Sequence, residues 1–187
     1  VGEDQKQHVE LARDIAQRFN NLFGETFKLP EPIIPTIGAR VMNLSNPTSK
    51  MSKSFDEDDG GVVGLLDDDS KIVKSIKRAV TDSGNDIVFS DDPEKAGVNN
   101  LLGIYKVITG KSSDDVEKDF EGARGYGILK EKVAEVVLES IKPIREKYNE
   151  YISDQSELDR LLDIGAENAR LISEPKVLEM KNKMGFI

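Results

Sequence analysis

The sequence of 187 residues contains no cysteine and no tryptophan, and its one histidine is His8. Without cysteine there is neither a disulfide framework nor a thiol nucleophile. With a single imidazole, a zinc site would have to be built of carboxylates, against the nitrogen and sulfur preference of that ion. No apolar run approaches the ~20 residues that span a bilayer, and the first residues lack the pattern of a secretory signal. Basic excess is lacking too: 35 Asp and Glu stand against 26 Lys and Arg, a net charge of −9. That balance opposes indiscriminate binding to nucleic acid or to anionic lipid. A cytoplasmic protein with no membrane partner and no resident metal site is the expectation that remains. Hydrophobic residues make up 37% of the chain, which suffices for a core at this length.

What is present reads mainly as helix. From Gln5 the apolar positions Val9, Leu11, Ala12, Ile15, Ala16, Phe19, Leu22 and Phe23 carry helical spacing, which predicts one buried stripe. Asp4 and Gln7 suit a capping box at its start, and Gly24 suits its end. Pro30, Pro32 and Pro35 then keep the backbone extended. Residues 37–44 predict a single buried strand, and 45–64 a long loop of the kind that is often functional. Asp67, Asp68 and Asp69 open a predicted helix that runs through Val80. Its buried stripe is Ile72, Val73, Ile76, Ala79 and Val80, and its outer face carries Lys71, Lys74, Lys77 and Arg78. Helical periodicity returns over 98–109, 112–121, 129–152 and 156–173, with Ser112 and Ser156 as caps. In the longest of these, Val133, Val137, Ile141, Ile144, Tyr148 and Ile152 line one side; Pro143 should kink it, and Pro175 should end or bend the next. A boundary falls near Leu66, where loop gives way to continuous helix.

Two short strings carry chemistry. Lys50-Met51-Ser52-Lys53-Ser54 sets two lysines three apart among hydroxyls, on a loop after a strand. Mobile ammonium groups can meet a triphosphate and follow its charge into a transition state, with Ser52 and Ser54 adding donors. The alternative is a solvated Lys/Ser loop. Gly2-Glu3-Asp4-Gln5 opens a helix, where a carboxylate and an amide can grip hydroxyl or amino groups. Capping alone is the rival reading there, and the two are compatible. Asp56, Asp58, Gly61, Val63 and Asp67 imitate a calcium loop, but position 5 is Gly60 and position 12 lacks the bidentate Glu. The turn from Gly122 to Gly127 matches a phosphate loop only weakly, and His8 reads as a surface residue.

Taken together, a GxDQ helix opening and a Lys-Met-Ser-Lys-Ser loop about 46 residues later resemble the nucleotide half of class I aminoacyl-tRNA synthetases. The flanking strings GEDQKQH, ARDIAQRFN, GARVMNL, LLDD, KRAVTDS, NNLLGIY, GYGILK and LDRLLDIGAENA narrow the resemblance to the bacterial tryptophanyl family, from Val1 nearly to Ile187. The sister tyrosyl family shares the GxDQ idea but usually departs from KMSKS, so it stands as an alternative. A non-catalytic helical RNA-binding module that retains the lysine loop is the other.

The resemblance implies a mainly α fold: a remnant of a Rossmann-like α/β nucleotide-binding domain over 1–65, then a helical domain over 66–187 that includes the anticodon-binding region. It implies ATP with Mg2+, tryptophan and tRNA(Trp) as ligands, and a homodimer for the full-length protein. It places Gly2, Glu3 and Asp4 near ATP, with Asp4 on the ribose, and Gln5 at the amino-acid end. Val41 meets the adenine through its backbone, and Lys50, Met51, Ser52, Lys53 and Ser54 close on the triphosphate. Lys50 and Lys53 are the expected catalytic charges. The family's His-Ile-Gly-His-type motif and first Rossmann half have no counterpart here, so the chain is expected to be a C-terminal portion, inactive by itself.

Overall fold

The computed structural model describes residues 1–34, 41–51 and 60–187. Among them the chain is mainly helical, with six α-helices: α1 (Lys6–Phe23), α2 (Asp69–Arg78), α3 (Ala96–Thr109), α4 (Ser113–Asp119), α5 (Tyr126–Ser153) and α6 (Gln155–Met184). They fall into two compact units, one of Val1–Pro35 with Tyr148–Ile187 and one of Thr36–Lys147, so the division passes through α5. The domain boundary expected between residues 65 and 66 lies within the span of the second unit.

In the first unit, α1 is entered through a 3-10 turn, Glu3–Gln5, in which the Gln5 N–H donates to the Gly2 carbonyl at 3.0 Å. The cap position is therefore Gln5 and not Asp4, because the tighter turn consumes the residues that a capping box would have used. Gly24 ends the helix as expected, at φ 85°. The chain then folds back on Asn20, whose Oδ1 accepts from the N–H groups of Thr26 (3.0 Å) and Phe27 (2.9 Å). Phe19 packs against Phe23 and Phe27, with ring centroids 4.8 and 5.0 Å apart. From α6, Lys176 donates to the Thr26 carbonyl (2.9 Å), and Lys183 to the Glu25 carbonyl (2.7 Å) and the Thr26 hydroxyl (2.8 Å). The α1 stripe itself is a correction: only Ala16 is buried, while Leu11, Ile15 and Leu22 are exposed. Helical spacing fixes which residues share a face but not whether the described residues cover it.

The second unit holds the core. Ile72 and Ile76 of α2, Val98, Leu101 and Leu102 of α3, Val116 of α4, and Leu129 and Val133 of α5 are all buried in one cluster. Predicted helix α2 starts later than expected because Asp67 serves the preceding turn, accepting from the Gly64 N–H at 2.8 Å and from Lys71 at 2.8 Å. Val80, expected in the core, is exposed, since the helix stops at Arg78 and Val80 turns its backbone N–H to the Leu44 carbonyl at 2.8 Å. Ser112 caps α4 as expected, accepting from the Asp115 N–H, but α6 is capped by Asp154 and not by Ser156. Both α5 and α6 continue through their prolines, and α6 ends only at Gly185, φ 77°. A proline removes one backbone donor, and the remaining ladder of a 30-residue helix tolerates that loss.

Of the expected strand, residues 37–40 lie outside the described residues. The remainder makes a single antiparallel bridge, Met42 with Lys50.

Candidate functional site

That bridge is the foundation of the lysine loop. The Asn43 N–H donates to the Ser49 carbonyl (2.8 Å) and the Met51 N–H to the Val41 carbonyl (2.9 Å), so residues 41–51 form a short two-stranded ribbon. Its turn is closed by Asn46, whose carbonyl accepts from the Ser49 N–H at 2.9 Å and whose Oδ1 accepts from the Thr48 hydroxyl at 2.7 Å. Asn43 holds the other shoulder, its Oδ1 accepting from the N–H groups of Ser45 (2.8 Å) and Asn46 (3.0 Å). The chain returns past it at Gly61, whose carbonyl accepts from the Leu44 N–H at 2.8 Å. A Cβ at Gly61 would lie 2.1 Å from Asn43 Oδ1, so only glycine admits this approach.

The ribbon sits against α3. A cavity of about 500 Å³ opens there, lined by Val41, Met42 and Met51 of the ribbon and by Asn100, Gly103 and Ile104 of α3, among others. Its walls are predominantly apolar side chains, while Lys50, next to Met51, is exposed. A volume of that order, with apolar walls, is in the range of small-molecule sites.

The structure brings Val41, Lys50 and Met51 together in this ribbon. Ser52, Lys53 and Ser54 lie outside the described residues, as do Asp56 and Asp58 of the calcium-like pattern. Gly2, Glu3, Asp4 and Gln5 form the 3-10 entry to α1 in the other unit. Near that turn the Val1 ammonium donates to the Ile33 carbonyl at 2.8 Å.

Sequence reasoning missed Asn100. The Met42 N–H donates to its Oδ1 at 2.9 Å, and its Nδ2 donates to the Met42 carbonyl at 2.9 Å. Asn99 treats Ser90 the same way, at 3.0 and 2.5 Å. A signal was available: two adjacent amides stand between Val98 and Leu101 on an otherwise apolar helix, where a polar side chain needs a partner.

A second polar cluster joins the segment between α2 and α3 to the start of α5. The Tyr126 hydroxyl donates to both oxygens of Asp82, at 2.7 and 2.8 Å, and Lys95 donates to the Tyr126 oxygen at 2.8 Å. Burial pushes the Asp82 carboxyl up, but bonds from Tyr126, the Gly84 N–H and Lys95 outweigh it and hold the carboxyl below its ordinary value. Burial, together with the Asp82 charge, raises the Tyr126 phenol.

Comparison with known proteins supplies the class. The family described as tRNA synthetases class I (W and Y) matches residues 1–142, and the chain belongs to that family. Along its whole length it is 49% identical to the tryptophan–tRNA ligase of Wolinella succinogenes and 51% to that of Caldanaerobacter subterraneus subsp. tengcongensis. It spans about 56% of the length of each, so it corresponds to part of those ligases. Among solved structures, the tryptophanyl-tRNA synthetase of Mycoplasma pneumoniae superposes over 99% of this chain and 55% of its own, with TM-score 0.87 and 30% identity. That of Campylobacter jejuni, complexed with ADP and tryptophan, does so over 99% and 56%, with TM-score 0.67 and 34% identity. No helix among the described residues is long and apolar enough to cross a membrane.

Proposed function

We propose that this chain is the part of a tryptophan–tRNA ligase that grips ATP while tryptophan is activated, and that its later helices serve tRNA(Trp). The reaction is attack of the tryptophan carboxylate on the α-phosphate of ATP, giving tryptophanyl-adenylate and pyrophosphate, followed by transfer to tRNA. The protein's share of such chemistry is to position groups and stabilise charge. The observation that carries the reading is the ribbon: Met51, the neighbour of Lys50, and Val41, its hydrogen-bond partner, both line the apolar cavity.

On this reading Val41 meets the adenine through its backbone and Met51 packs beside it. Lys50 and Lys53 carry charge to the triphosphate, and Ser52 and Ser54 add hydroxyl donors. Gly2, Glu3 and Asp4 lie near ATP, with Asp4 on the ribose, and Gln5 serves the amino-acid end. Magnesium travels with ATP and shares the charge of its phosphates. Among the described residues no group of three or more His, Cys, Asp or Glu is placed to hold a metal; the phosphate oxygens are its proposed ligands. Residues 1–65 are the nucleotide part and 66–187 the helical part that includes the anticodon-binding region. The whole ligase acts as a homodimer.

The test supplies in trans the portion of the Wolinella succinogenes ligase that this chain does not span. Tryptophan-dependent exchange of pyrophosphate into ATP is expected from the mixture and from neither piece alone. Lys53→Ala is expected to lower that rate far more than it weakens tryptophan binding. A co-purifying, folded pair with no exchange would refute the reading, and exchange driven by tyrosine would move it to the sister family.

A further inference from the structure

We propose that Asn100 is a positioning residue for the ATP loop, acting as a one-residue third strand that fixes the ribbon from which Lys50 projects. The proposal rests on the nucleotide reading above. In an antiparallel pair, facing residues alternate between those that exchange hydrogen bonds with each other and those that do not. Met42 and Lys50 are of the second kind, because the bonds of their bridge run between the neighbours, Asn43 to Ser49 and Met51 to Val41. The Met42 N–H and carbonyl are therefore directed away from the Lys50 strand, toward the edge where another strand would pair.

No strand is paired there among the described residues. The Asn100 carboxamide takes its place, accepting from the Met42 N–H and donating to the Met42 carbonyl, both at 2.9 Å. A carboxamide offers one donor and one acceptor side by side, as a peptide group does. Asn100 stands on α3 between Val98 and Leu101, both fully buried, so the helix that holds the amide is locked in the core. The bond pair thus ties the edge of a two-stranded ribbon, which is marginal by itself, to a helix anchored in the buried core of the unit. Val41 and Met51, two of the ribbon residues on the cavity, are chain neighbours of the clamped residue and of its bridge partner.

The experiment follows Met42 and Met51 amide exchange by nuclear magnetic resonance, and ATP binding by titration, in the 187-residue chain paired with the portion of the Wolinella succinogenes ligase that it does not span. Asn100→Leu is expected to speed Met42 exchange about tenfold, the worth of one hydrogen bond, and to weaken ATP binding by a similar factor. Asn100→Asp keeps the shape, and its fold is checked from amide dispersion at each pH. At pH 8 its carboxylate still accepts from the Met42 N–H but cannot donate to the Met42 carbonyl and repels it, so ATP binding is expected to weaken while Met42 exchange changes less than in Asn100→Leu. As pH falls toward the ordinary aspartate value of about 3.9, the carboxyl protonates and again offers one donor and one acceptor, and ATP binding returns toward that of the unsubstituted chain at equal pH. Asparagine does not titrate, so the unsubstituted chain shows no such recovery. Unchanged Met42 exchange in Asn100→Leu overturns the clamp. Altered exchange with unchanged ATP affinity reduces Asn100 to a structural role and overturns its positioning role. If ATP shifts no amide from Val41 to Met51 in the unsubstituted chain, the nucleotide reading fails and the positioning role fails with it; altered Met42 exchange then shows a clamp without that role.

Discussion

Two glycines on α3 show how sharply a single position is constrained. A Cβ at Gly97 would lie 1.9 Å from the Val80 carbonyl oxygen, whereas one at Gly103 would meet nothing within 4 Å. Val80 has little room to retreat, because its N–H is bonded to the Leu44 carbonyl. Gly97→Ala is therefore expected to cost about 1–3 kcal/mol, the usual cost of overpacking, measured by urea unfolding. Gly103→Ala is expected to stabilise by up to about 1 kcal/mol, the difference in helix propensity. Gly103 also lines the 500 Å³ cavity, so the same methyl group should weaken ATP binding while the fold becomes more stable. A merely structural account predicts that the two move together, so parallel changes would argue against a nucleotide in the cavity.

At the level of elements, the loop between α2 and α3 and the start of α5 are joined through Asp82, Lys95 and Tyr126. Asp82 sits below its ordinary value of 3.8 in the folded chain, where burial is outweighed by its three donors. A carboxyl depressed by folding stabilises the native state above its unfolded value and loses that contribution as pH falls through the lower, folded one. Tyr126→Phe removes a hydrogen bond to a charged group and should cost about 1.5–3 kcal/mol at pH 7. That gap should narrow as pH drops below 3.8, because the protonated Asp82 no longer needs the phenol. Thermal unfolding at pH 7, 5 and 3 reads the gap, and a constant difference would remove Asp82 from the explanation. None of this cluster was legible in the sequence, since Asp82 and Tyr126 are 44 residues apart and meet only through the fold. The helices themselves were legible, because periodicity and caps are local: Ser112 and Gly24 mark real ends. Where the reading slipped, a neighbour had already claimed the side chain, as Gly64 and Lys71 claim Asp67. The lysine string marked a candidate triphosphate loop because its residue types are adjacent in the chain. Asn100 did not, because its partner is a backbone group 58 residues away.

Across the molecule, burial is unevenly shared between the two units. In the described part of the first, Ala16 and Thr26 are the buried residues, and α6 buries none along its 30 residues. The second unit holds one cluster of buried residues from Leu44 to Ile141. The α5 stripe shows the change within one helix: Val133, Val137 and Ile141 are buried, but Ile144, Tyr148 and Ile152 are exposed. Periodicity predicted all six on one side and had no means of predicting where coverage stops. Because buried apolar area is the main source of stability, local opening should follow it. Amides of α3 and of α5 up to Ile141 are expected to exchange by the slowest openings of the chain. Amides along α6 should exchange at least about tenfold faster, which corresponds to roughly 1.4 kcal/mol less local stability. Lys176 and Lys183 tie α6 to Thr26 and Glu25, so a Lys176→Ala, Lys183→Ala chain should widen the difference without moving α3. Hydrogen exchange read by mass spectrometry measures each helix separately. Equal protection of α3 and α6 would mean that the two units open together, and that their uneven burial does not govern stability in this chain.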